Sequence, residues 1–168
     1  LNLLLIGEWM KNIDDQLILR ECWARFATGV SIITTIVPNN KVHGMTANGI
    51  LSVSLDPSVV LVSIGMERNT HDLIKKNKSF GISILKSNQK EIAEYFSKDN
   101  PLEDDAFNYQ EMPGGQFVVS ESIAQFECKI VKEISVYDHT LFLSKIENFN
   151  FSEGDPLIWL DSKYNYFN

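Results

Sequence analysis

The sequence is poor in cysteine, with only Cys22 and Cys128 among its 168 residues. The two lie far apart and form no C-x-x-C pair, which argues against a disulfide framework and against a zinc site built on cysteine. We therefore expect each cysteine to be a small buried apolar residue. Histidine is also scarce, and His43, His71 and His139 lack the spacing of metal ligands on one helix. No metal site is predicted.

Basic residues are in the minority: 15 lysines and arginines stand against 22 aspartates and glutamates, giving a formal net charge of -7. Surfaces that bind nucleic acid are built from clustered Lys and Arg, so no nucleic-acid partner is expected. Long hydrophobic runs are missing too. The opening LNLLLI is too short for a membrane span and lacks the positive flank of a signal peptide. These absences predict a cytoplasmic protein without a membrane partner.

Length and hydrophobic content fit one globular domain, since domains commonly have about 100 to 150 residues and 44% of this chain is hydrophobic. Met10 opens a more ordinary polar segment after the apolar start. We interpret residues 1–9 as an upstream extension or a vector remnant, and residues 10–168 as a single domain.

Short β-branched runs dominate the chain, and only three segments have helical periodicity. A doubly wound parallel sheet would need a helix after nearly every strand, so the pattern favours a mainly antiparallel β-barrel or sandwich. The first three strands are expected to form a meander, and residues 97–116 a surface loop. Helices are predicted over 12–27, 70–77 and 89–96, and strands over 30–37, 43–54, 59–66, 80–86, 126–136, 140–149, 157–160 and 164–167.

Several catalytic motifs are absent from the sequence. Gly44 and Gly49 have the spacing that opens a phosphate-binding P-loop, but Ile50 and Leu51 follow where Lys and Ser or Thr are needed. The sequence contains neither GxGxxG nor GxSxG. The acidic run at 103–105 is typical of a solvated loop and not of a general acid and base pair.

The stretch RNTHDL at 68–73 has the features of an anion site. Asn69 or Thr70 can cap the helix that follows, and its free amides, the Thr70 hydroxyl and the Arg68 cation together suit an anion. Asp72 in the first turn works slightly against it. A plain helix start explains the same residues, and both interpretations stay open at this point.

The stretch GMTANG at 44–49 is small and polar. Small side chains let a planar ring approach the backbone, whose amides and carbonyls can pair with the edge of a heterocycle. Thr46 and Asn48 add polar side chains. An irregular loop or bulge is the alternative. Taken alone, the stretch fits the loop or bulge better, and the expectation that a flat cofactor lies against residues 44–49 depends on the rest of the chain.

Five segments together resemble the flavin reductase-like family, the FMN-binding split barrel that includes reductase components of two-component flavin monooxygenases. The resemblance runs from Phe26 to Tyr164 and implies a six-stranded antiparallel Greek-key split β-barrel with peripheral helices. It also implies a homodimer with the flavin near the subunit boundary. The segments are FATGVSIITT at 26–35, TANGILSVSLDP at 46–57, RNTHDL at 68–73, FGISIL at 80–85 and YDHTLFLSKI at 137–146.

The resemblance also assigns roles by position. His139 would lie beside the flavin face where the nicotinamide stacks, with Asp138 orienting its ring. Without the resemblance, His139 is a strand-start histidine with a satisfied hydrogen bond. The implied flavin-binding positions are Thr46, Ala47, Asn48 and Gly49 at the isoalloxazine edge, Ser52, Val53 and Ser54 along the ribityl chain, and Arg68, Asn69 and Thr70 at the phosphate.

The implied activity is an NAD(P)H-dependent flavin reductase that uses FMN, or alternatively FAD, takes hydride from NADH or NADPH, and supplies reduced flavin to a monooxygenase. Two departures bear on the second substrate: Gly49 and Ser83 stand where serine and asparagine are common in the family. A flavin-binding electron carrier or sensor without NAD(P)H oxidation is the alternative. A pyridoxamine-phosphate oxidase-like enzyme is disfavoured because basic residues for a second phosphate are not evident.

Overall fold

The computed structural model describes residues 13–38, 41–98 and 107–166. These residues form three α-helices, α1 (Ile13–Ala24), α2 (Asn69–Asn77) and α3 (Lys90–Phe96). The strands of these residues are β1 (Thr28–Gly29), β2 (Ser31–Val37), β3 (Lys41–Ala47), β4 (Ile50–Leu55), β5 (Ser58–Gly65), β6 (Ser79–Ile84), β7 (Tyr109–Glu111), β8 (Phe117–Val119), β9 (Ala124–Val136), β10 (His139–Phe151), β11 (Ile158–Leu160) and β12 (Lys163–Asn165).

Seven strands form one antiparallel sheet in the order β3-β2-β6-β9-β10-β5-β4. Its two edge strands, β3 and β4, are joined in the chain by only Asn48 and Gly49. In a flat sheet with strands about 4.8 Å apart, the edges would be about 29 Å from each other, well beyond the reach of two residues. The sheet must therefore curl until its edges meet. This split barrel confirms the predicted fold class, with seven strands instead of six.

The predicted meander is wrong. β2 pairs with β3 and β4 pairs with β5, so two hairpins lie at opposite edges of the sheet. The single strand predicted over 43–54 is divided at Asn48 and Gly49. Alternating apolar residues continue on both sides of this corner, so periodicity alone does not reveal that the chain changes strand partner there.

Two apolar clusters form the core. The first fills the barrel and includes Ile33, Val62, Phe80 and Phe142. Cys128 belongs to it, and burial raises the pKa of its thiol to about 12, which keeps it protonated at neutral pH. The expectation of a buried cysteine is thus confirmed there. It is wrong for Cys22, which is exposed on α1.

The second cluster lies under α3, where Ile32 of β2, Leu85 just after β6 and Val119 of β8 meet Ala93 and Phe96 from the helix. The predicted second and third helices are confirmed within a residue of their ends. α1 is shorter than predicted and ends at Ala24. Its apolar side chains, Trp23 among them, are exposed, so the packed face expected for this helix is not formed against the described chain.

Residues 107–116 depart from the predicted surface loop. β7 and β8 form a hairpin whose turn contains Gly115 at a φ of 95°. The buried carboxylate of Glu127 accepts hydrogen bonds from the backbone N–H groups of Gly114 and Gln116, at 2.8 and 3.0 Å. It also accepts one from the side-chain amide of Asn148. The turn is therefore anchored to β9. The acidic run at 103–105 and the proposed extension at 1–9 lie outside the described residues.

Candidate functional site

A cavity of about 280 Å³ lies where the end of β3 meets α3 and the β11–β12 hairpin. It is lined by three of the four residues predicted at the ring edge, together with aromatic and cationic side chains. Burial and the nearby carboxylate of Glu94 raise the pKa of Tyr164, so its phenol is protonated at neutral pH. The lining residues are Val30, Met45, Thr46, Ala47, Asn48, Arg68, Phe96, Ser97, Trp159 and Tyr164.

The position of β3 explains why its last residues line this cavity. β3 is an edge strand, so one side of its backbone has no neighbour in the sheet. Part of this edge is covered by α3, because the Thr46 hydroxyl donates to the carbonyl oxygen of Ala93 at 2.7 Å. The hydroxyl hydrogen of Thr46 is thus used within the protein. What the stretch offers a planar ligand is its backbone and the Asn48 side chain.

Asn48 lies at the corner where the barrel is split. Its side chain is exposed and lines three neighbouring cavities, including the one beside Phe96. The corner is held in place because Ser63 donates its backbone N–H to the carbonyl oxygen of Gly49, at 2.9 Å. Asn48 is therefore the predicted residue best placed to contact a ligand, whereas Gly49 acts through the backbone of the corner.

A small recess at the N-terminus of α2 brings the predicted anion-binding residues together. Arg68 is the N-cap and makes no side-chain capping hydrogen bond. The recess is lined by Arg68, Asn69 and Thr70, and by Lys98 from beyond α3. The amides of a helix N-terminus and two cations suit a phosphate group. Asp72, also in the first turn, and Glu67, whose Oε1 lies 3.5 Å from Arg68 Nε, reduce the positive potential.

Thr70 has a different environment from the one its predicted role requires. Its side chain is buried, and its hydroxyl is hydrogen-bonded to Nε2 of His43 at 2.8 Å. His43, on β3, was not predicted to belong to the site. The pair joins the first turn of α2 to the strand that carries Thr46 and Ala47, so Thr70 positions the recess as well as lining it.

The cavity and the recess are adjoining parts of one site, because Met45, Arg68 and Phe96 line both. One part is aromatic, with Phe96, Trp159 and Tyr164, and the other is cationic. A planar heterocycle that carries a phosphate tail has the same distribution of apolar and charged groups. The residues present therefore fit a flavin mononucleotide.

The residues predicted along the ribityl chain are not brought together. Ser52 lines a separate, mainly apolar cavity of about 580 Å³ at the mouth of the barrel, which it shares with Asn48 and Ile50. Val53 and Ser54 line neither cavity. The register between β4 and β5 shifts between Ser52 and Ser54, and this bulge leaves the Val53 side chain exposed. Sequence spacing could not reveal the bulge.

His139 lies at the same end of the barrel as the β3–β4 corner. It is the first residue of β10 and pairs with Gly65 on β5, while Gly49 lies opposite Ser63. From strand spacing, the backbones of His139 and Gly49 are about 12 Å apart. The half-exposed ring is not among the side chains that line the cavity or the recess.

The predicted pairing of Asp138 with His139 is present, with 2.9 Å between Oδ1 of the carboxylate and Nδ1 of the ring. The hydrogen bond from the ring lowers the pKa of Asp138, which stays ionised at neutral pH. The interaction is lost as pH falls through this lowered pKa. Met66 also donates its backbone N–H to the Asp138 carbonyl oxygen at 2.8 Å, which ties the turn to the end of β5.

His71 links the first turn of α2, which lines the recess, to β10, which begins at His139. It is buried, with Nδ1 2.9 Å from Oδ1 of Asp72 and Nε2 2.9 Å from the hydroxyl of Thr140. Thr140 directly follows His139 on β10. The sequence placed His71 inside the RNTHDL motif but assigned it no role.

Within the described ranges, no group of three or more His, Cys, Asp or Glu side chains is arranged to hold a metal ion.

Most of the residues that sequence reasoning missed are supplied by distant segments. Phe96, Ser97 and Lys98 follow from the end of α3, and Trp159 and Tyr164 come from the β11–β12 hairpin. No motif marks any of them. The only hint in the sequence is the density of aromatic residues in the last ten positions, which also suits an ordinary core.

None of the described helices has the length and apolar character needed to cross a membrane.

Comparison with known proteins gives concordant matches over nearly the whole chain. The model of the flavin reductase like domain matches residues 23–168. The NADH-dependent flavin reductase StyB of Pseudomonas fluorescens is 34% identical over 157 residues, which cover 89% of each protein. The structure of flavin reductase PheA2 in its native state has a TM-score of 0.85 at 37% identity, covering 92% of this chain and 99% of that one. The styrene monooxygenase flavin reductase SMOB from Pseudomonas putida S12 has a TM-score of 0.82 at 32% identity, covering 89% and 96%. With these matches over most of the chain, the chain belongs to the flavin reductase-like family.

Proposed function

We propose that this protein is an NADH-dependent flavin reductase that binds FMN, or FAD, in the cavity at the end of β3. The observation that carries the proposal is that an aromatic cavity and a cationic recess adjoin through Met45, Arg68 and Phe96. StyB, which is 34% identical, is itself an NADH-dependent flavin reductase.

Each part of the site has a proposed task. Arg68, Lys98 and the first amides of α2 hold the phosphate. The Asn48 side chain and the backbone of residues 46–48 contact the polar edge of the ring system, and Phe96 and Trp159 exclude water from its apolar part. When bound, a flavin supplies the redox chemistry by accepting a hydride from the reduced nicotinamide. The protein then needs to hold two rings in contact, so no catalytic triad is required.

His139 is proposed to border the space where the nicotinamide binds. Support comes from its place at the same end of the barrel as Asn48 and Gly49, and from its half-exposed ring. Asp138 fixes the ring orientation through the 2.9 Å contact. Thr140, the next residue, is tied to α2 through His71. A shift of the phosphate-binding turn would therefore be transmitted to His139.

A partner oxygenase is proposed to take up the reduced flavin. SMOB, with 32% identity, is described as the flavin reductase of a styrene monooxygenase. The exposed position of Asn48 at the meeting point of three cavities supports a site that ligands can enter and leave. Location in the cytoplasm remains a prediction from the sequence.

A homodimer is also proposed. The chain exposes large apolar side chains on β4, at Leu51, Val53 and Leu55, and at the end of β10, at Phe149 and Phe151. Contiguous exposed apolar side chains are typical of protein interfaces. β4 is in addition an edge strand, so one side of its backbone is not hydrogen-bonded to another strand of the described sheet.

The activity is tested by an anaerobic titration of the purified protein reconstituted with FMN, first with NADH and then with NADPH, while the absorbance of the oxidised flavin is followed. Rapid bleaching is the expected result, and the nucleotide that causes it identifies the donor. A bound flavin that stays oxidised with both nucleotides would instead support an electron carrier or sensor. Failure to bind any flavin would contradict the proposed site.

The recess is tested by the substitution Arg68→Gln. Hydrogen bonds to charged groups contribute about 1.5–3 kcal/mol, so FMN should bind at least about tenfold more weakly. Riboflavin, which has no phosphate, should bind the variant as it binds the unsubstituted protein. Arg25→Gln is the matched control, since Arg25 pairs with Asp161 outside the recess. Equal losses for FMN and riboflavin would show that Arg68 does not contact the phosphate.

A further inference from the structure

A strip of the outer face of the barrel connects the β3–β4 corner with His139. Ile64 on β5 and Thr140 on β10 lie opposite each other and are buried. Side chains alternate between the two faces of a strand, so Ser63, Gly65 and His139 face outward. The side chains between the corner and the histidine are thus a hydroxymethyl group and a hydrogen atom. This outer strip has room for a flat ligand.

The carboxylate of Glu67 lies over one end of the outer strip. A Cβ atom at Gly65 would be 2.6 Å from each of the two carboxylate oxygens of Glu67. Gly65 lies opposite His139 in the register, and the Cβ positions of directly opposed residues are about 4.5–5.5 Å apart on the same face. The carboxylate therefore occupies the place beside His139 that a larger residue at position 65 would fill.

The Glu67 carboxylate is accessible to a ligand on the outer strip. Its side chain is 69% exposed, and its Oε1 lies 3.5 Å from Nε of Arg68. An exposed ion pair at this distance holds a carboxylate weakly. Glu67 can therefore turn toward a bound ring without disturbing the core. Toward a phosphate in the recess it is unfavourable, because both groups are negative.

A carboxylate at this position suits the charge that hydride transfer creates. The dihydronicotinamide ring of NADH is neutral. When its C4–H bond breaks, the hydride takes both electrons to the bound flavin, where a new bond to hydrogen forms, and the nicotinamide ring is left as a pyridinium cation. A fixed negative group placed where positive charge develops lowers the barrier to that step. His139, which is proposed to border the same ring, lies next to this carboxylate.

We infer that Glu67 is a catalytic residue of the hydride-transfer step, whose carboxylate lies against the nicotinamide ring and stabilises its positive charge as the hydride leaves. The inference rests on the proposed function. It gives a role to an acid that stands directly before Arg68, where it weakens the phosphate recess. It also predicts that the protein favours a cationic nicotinamide ring over a neutral ring of the same shape.

The test compares a charged and a neutral nicotinamide ring on the FMN-loaded protein. Dissociation constants are measured by calorimetry for NAD⁺ and for tetrahydro-NADH, whose ring is neutral and gives up no hydride. Glu67→Gln should raise the ratio of the NAD⁺ constant to the tetrahydro-NADH constant about fivefold, the upper end of what an exposed ion pair contributes. The rate constant for FMN reduction by saturating NADH, measured by anaerobic stopped flow, should fall by a similar factor.

Two further variants and one further ligand make the result specific. Glu67→Asp keeps the charge and should keep most of the preference for NAD⁺. Glu153→Gln is the matched control, because it changes the net charge equally at an exposed position that lines neither the cavity nor the recess. FMN should bind Glu67→Gln at least as tightly as the unsubstituted protein, since a negative charge is removed from beside Arg68.

The inference is overturned if Glu67→Gln leaves the ratio unchanged while NADH still reduces FMN, a result that leaves the proposed function intact. A slower reduction with an unchanged ratio also overturns it, because Glu67 then acts through the position of its neighbours and not through its charge. So does an equal change of the ratio in Glu153→Gln, which would reflect net charge alone. If NADH does not reduce FMN on the unsubstituted protein, the proposed function and the inference fail together.

Discussion

Gly44 is a glycine because the ring of Phe96 occupies the space where a side chain would lie. A Cβ atom at this position would be 2.8 Å from Cε1 and 3.0 Å from Cδ1 of that ring. Phe96 is only 3% exposed and packs against Tyr95 and Phe107, with centroids 5.1 and 5.8 Å away. The expectation that a flavin ring accounts for the small residue at 44 is therefore corrected. Phe96 lies there, and Phe96 in turn lines the cavity proposed to hold the flavin.

Gly44→Ala is expected to destabilise the protein by about 1–3 kcal/mol, the usual effect of added volume in a packed core. Phe96 cannot move aside without displacing its aromatic neighbours. The measurement is urea-induced unfolding followed by tryptophan fluorescence. Gly29→Ala is the control, since nothing lies within 4 Å of a Cβ atom there. Equal stability of the two variants would show that the Phe96 ring shifts freely.

His139→Ala is expected to retain flavin affinity and to reduce NADH turnover by about 100-fold, the effect of a misplaced reactant in an oriented reaction. The reason is that the ring is proposed to border the nicotinamide and makes no contact with the phosphate recess. Stopped-flow reduction of bound FMN by NADH measures the effect. Asp138→Asn is a milder comparison, because an amide oxygen can still accept from Nδ1. Unchanged turnover in His139→Ala would remove the proposed role.

Among the secondary-structure elements, α2 connects β3, whose end lines the cavity, to β10, which begins at His139. Thr70 and His71 follow each other in its first turn, yet they bond to opposite sides of the barrel, Thr70 to His43 on β3 and His71 to Thr140 on β10. All four of these residues are buried. The helix start is therefore held in register with both strands.

Thr140→Val is expected to destabilise the protein by about 1–3 kcal/mol, because it leaves Nε2 of the buried His71 without its hydroxyl partner. Valine keeps the shape of threonine, so packing is preserved. Ser144→Ala is the matched control on the same strand. Its hydroxyl is buried and has no hydrogen-bond partner among the described residues. Stability should be unchanged or raised there. A loss in Ser144→Ala as large as that in Thr140→Val would contradict this account of His71.

The whole molecule is organised by the closure of one sheet. Bringing β3 and β4 together at Asn48 and Gly49 places the end of β3, the start of α2 and the start of β10 around one end of the barrel. The same closure turns β4 outward as an edge strand with exposed apolar side chains. The site and the proposed dimer interface are therefore consequences of a single topological feature.

The double substitution Leu51→Asp, Leu55→Asp is expected to convert the proposed homodimer to a monomer. Leu55 is 89% exposed and Leu51 is also exposed, so neither supports the core of the single chain. Burying a leucine contributes about 1.5–3 kcal/mol to an interface, and a carboxylate there opposes it. Multi-angle light scattering measures the mass. Tyr137→Asp, at an 86% exposed position in the β9–β10 turn, is the control. A doubly substituted protein that stays dimeric would place the interface elsewhere.

Structural features that depend on residues close together in the sequence were predictable. The β-branched runs predicted most strands, the RNTHDL stretch predicted the start of α2, and the Asp138–His139 pair needed only adjacent positions. The segments at 46–57 and 68–73 also carried the family resemblance. Local periodicity and local hydrogen bonding determine these features, and both can be read from the chain alone.

Features that depend on closure of the barrel were not predictable in this way. The separation of β3 from β4, the bulge at Val53, the contact of Phe96 with Gly44 and the approach of Trp159 to Asn48 all join segments that are distant in the chain or change partners at one corner. The sequence by itself determined most of the strands, the start of α2 and the family resemblance. Only the tertiary structure decided which side chains share the cavity, because their neighbours are set by the packing of a closed sheet and not by spacing along the chain.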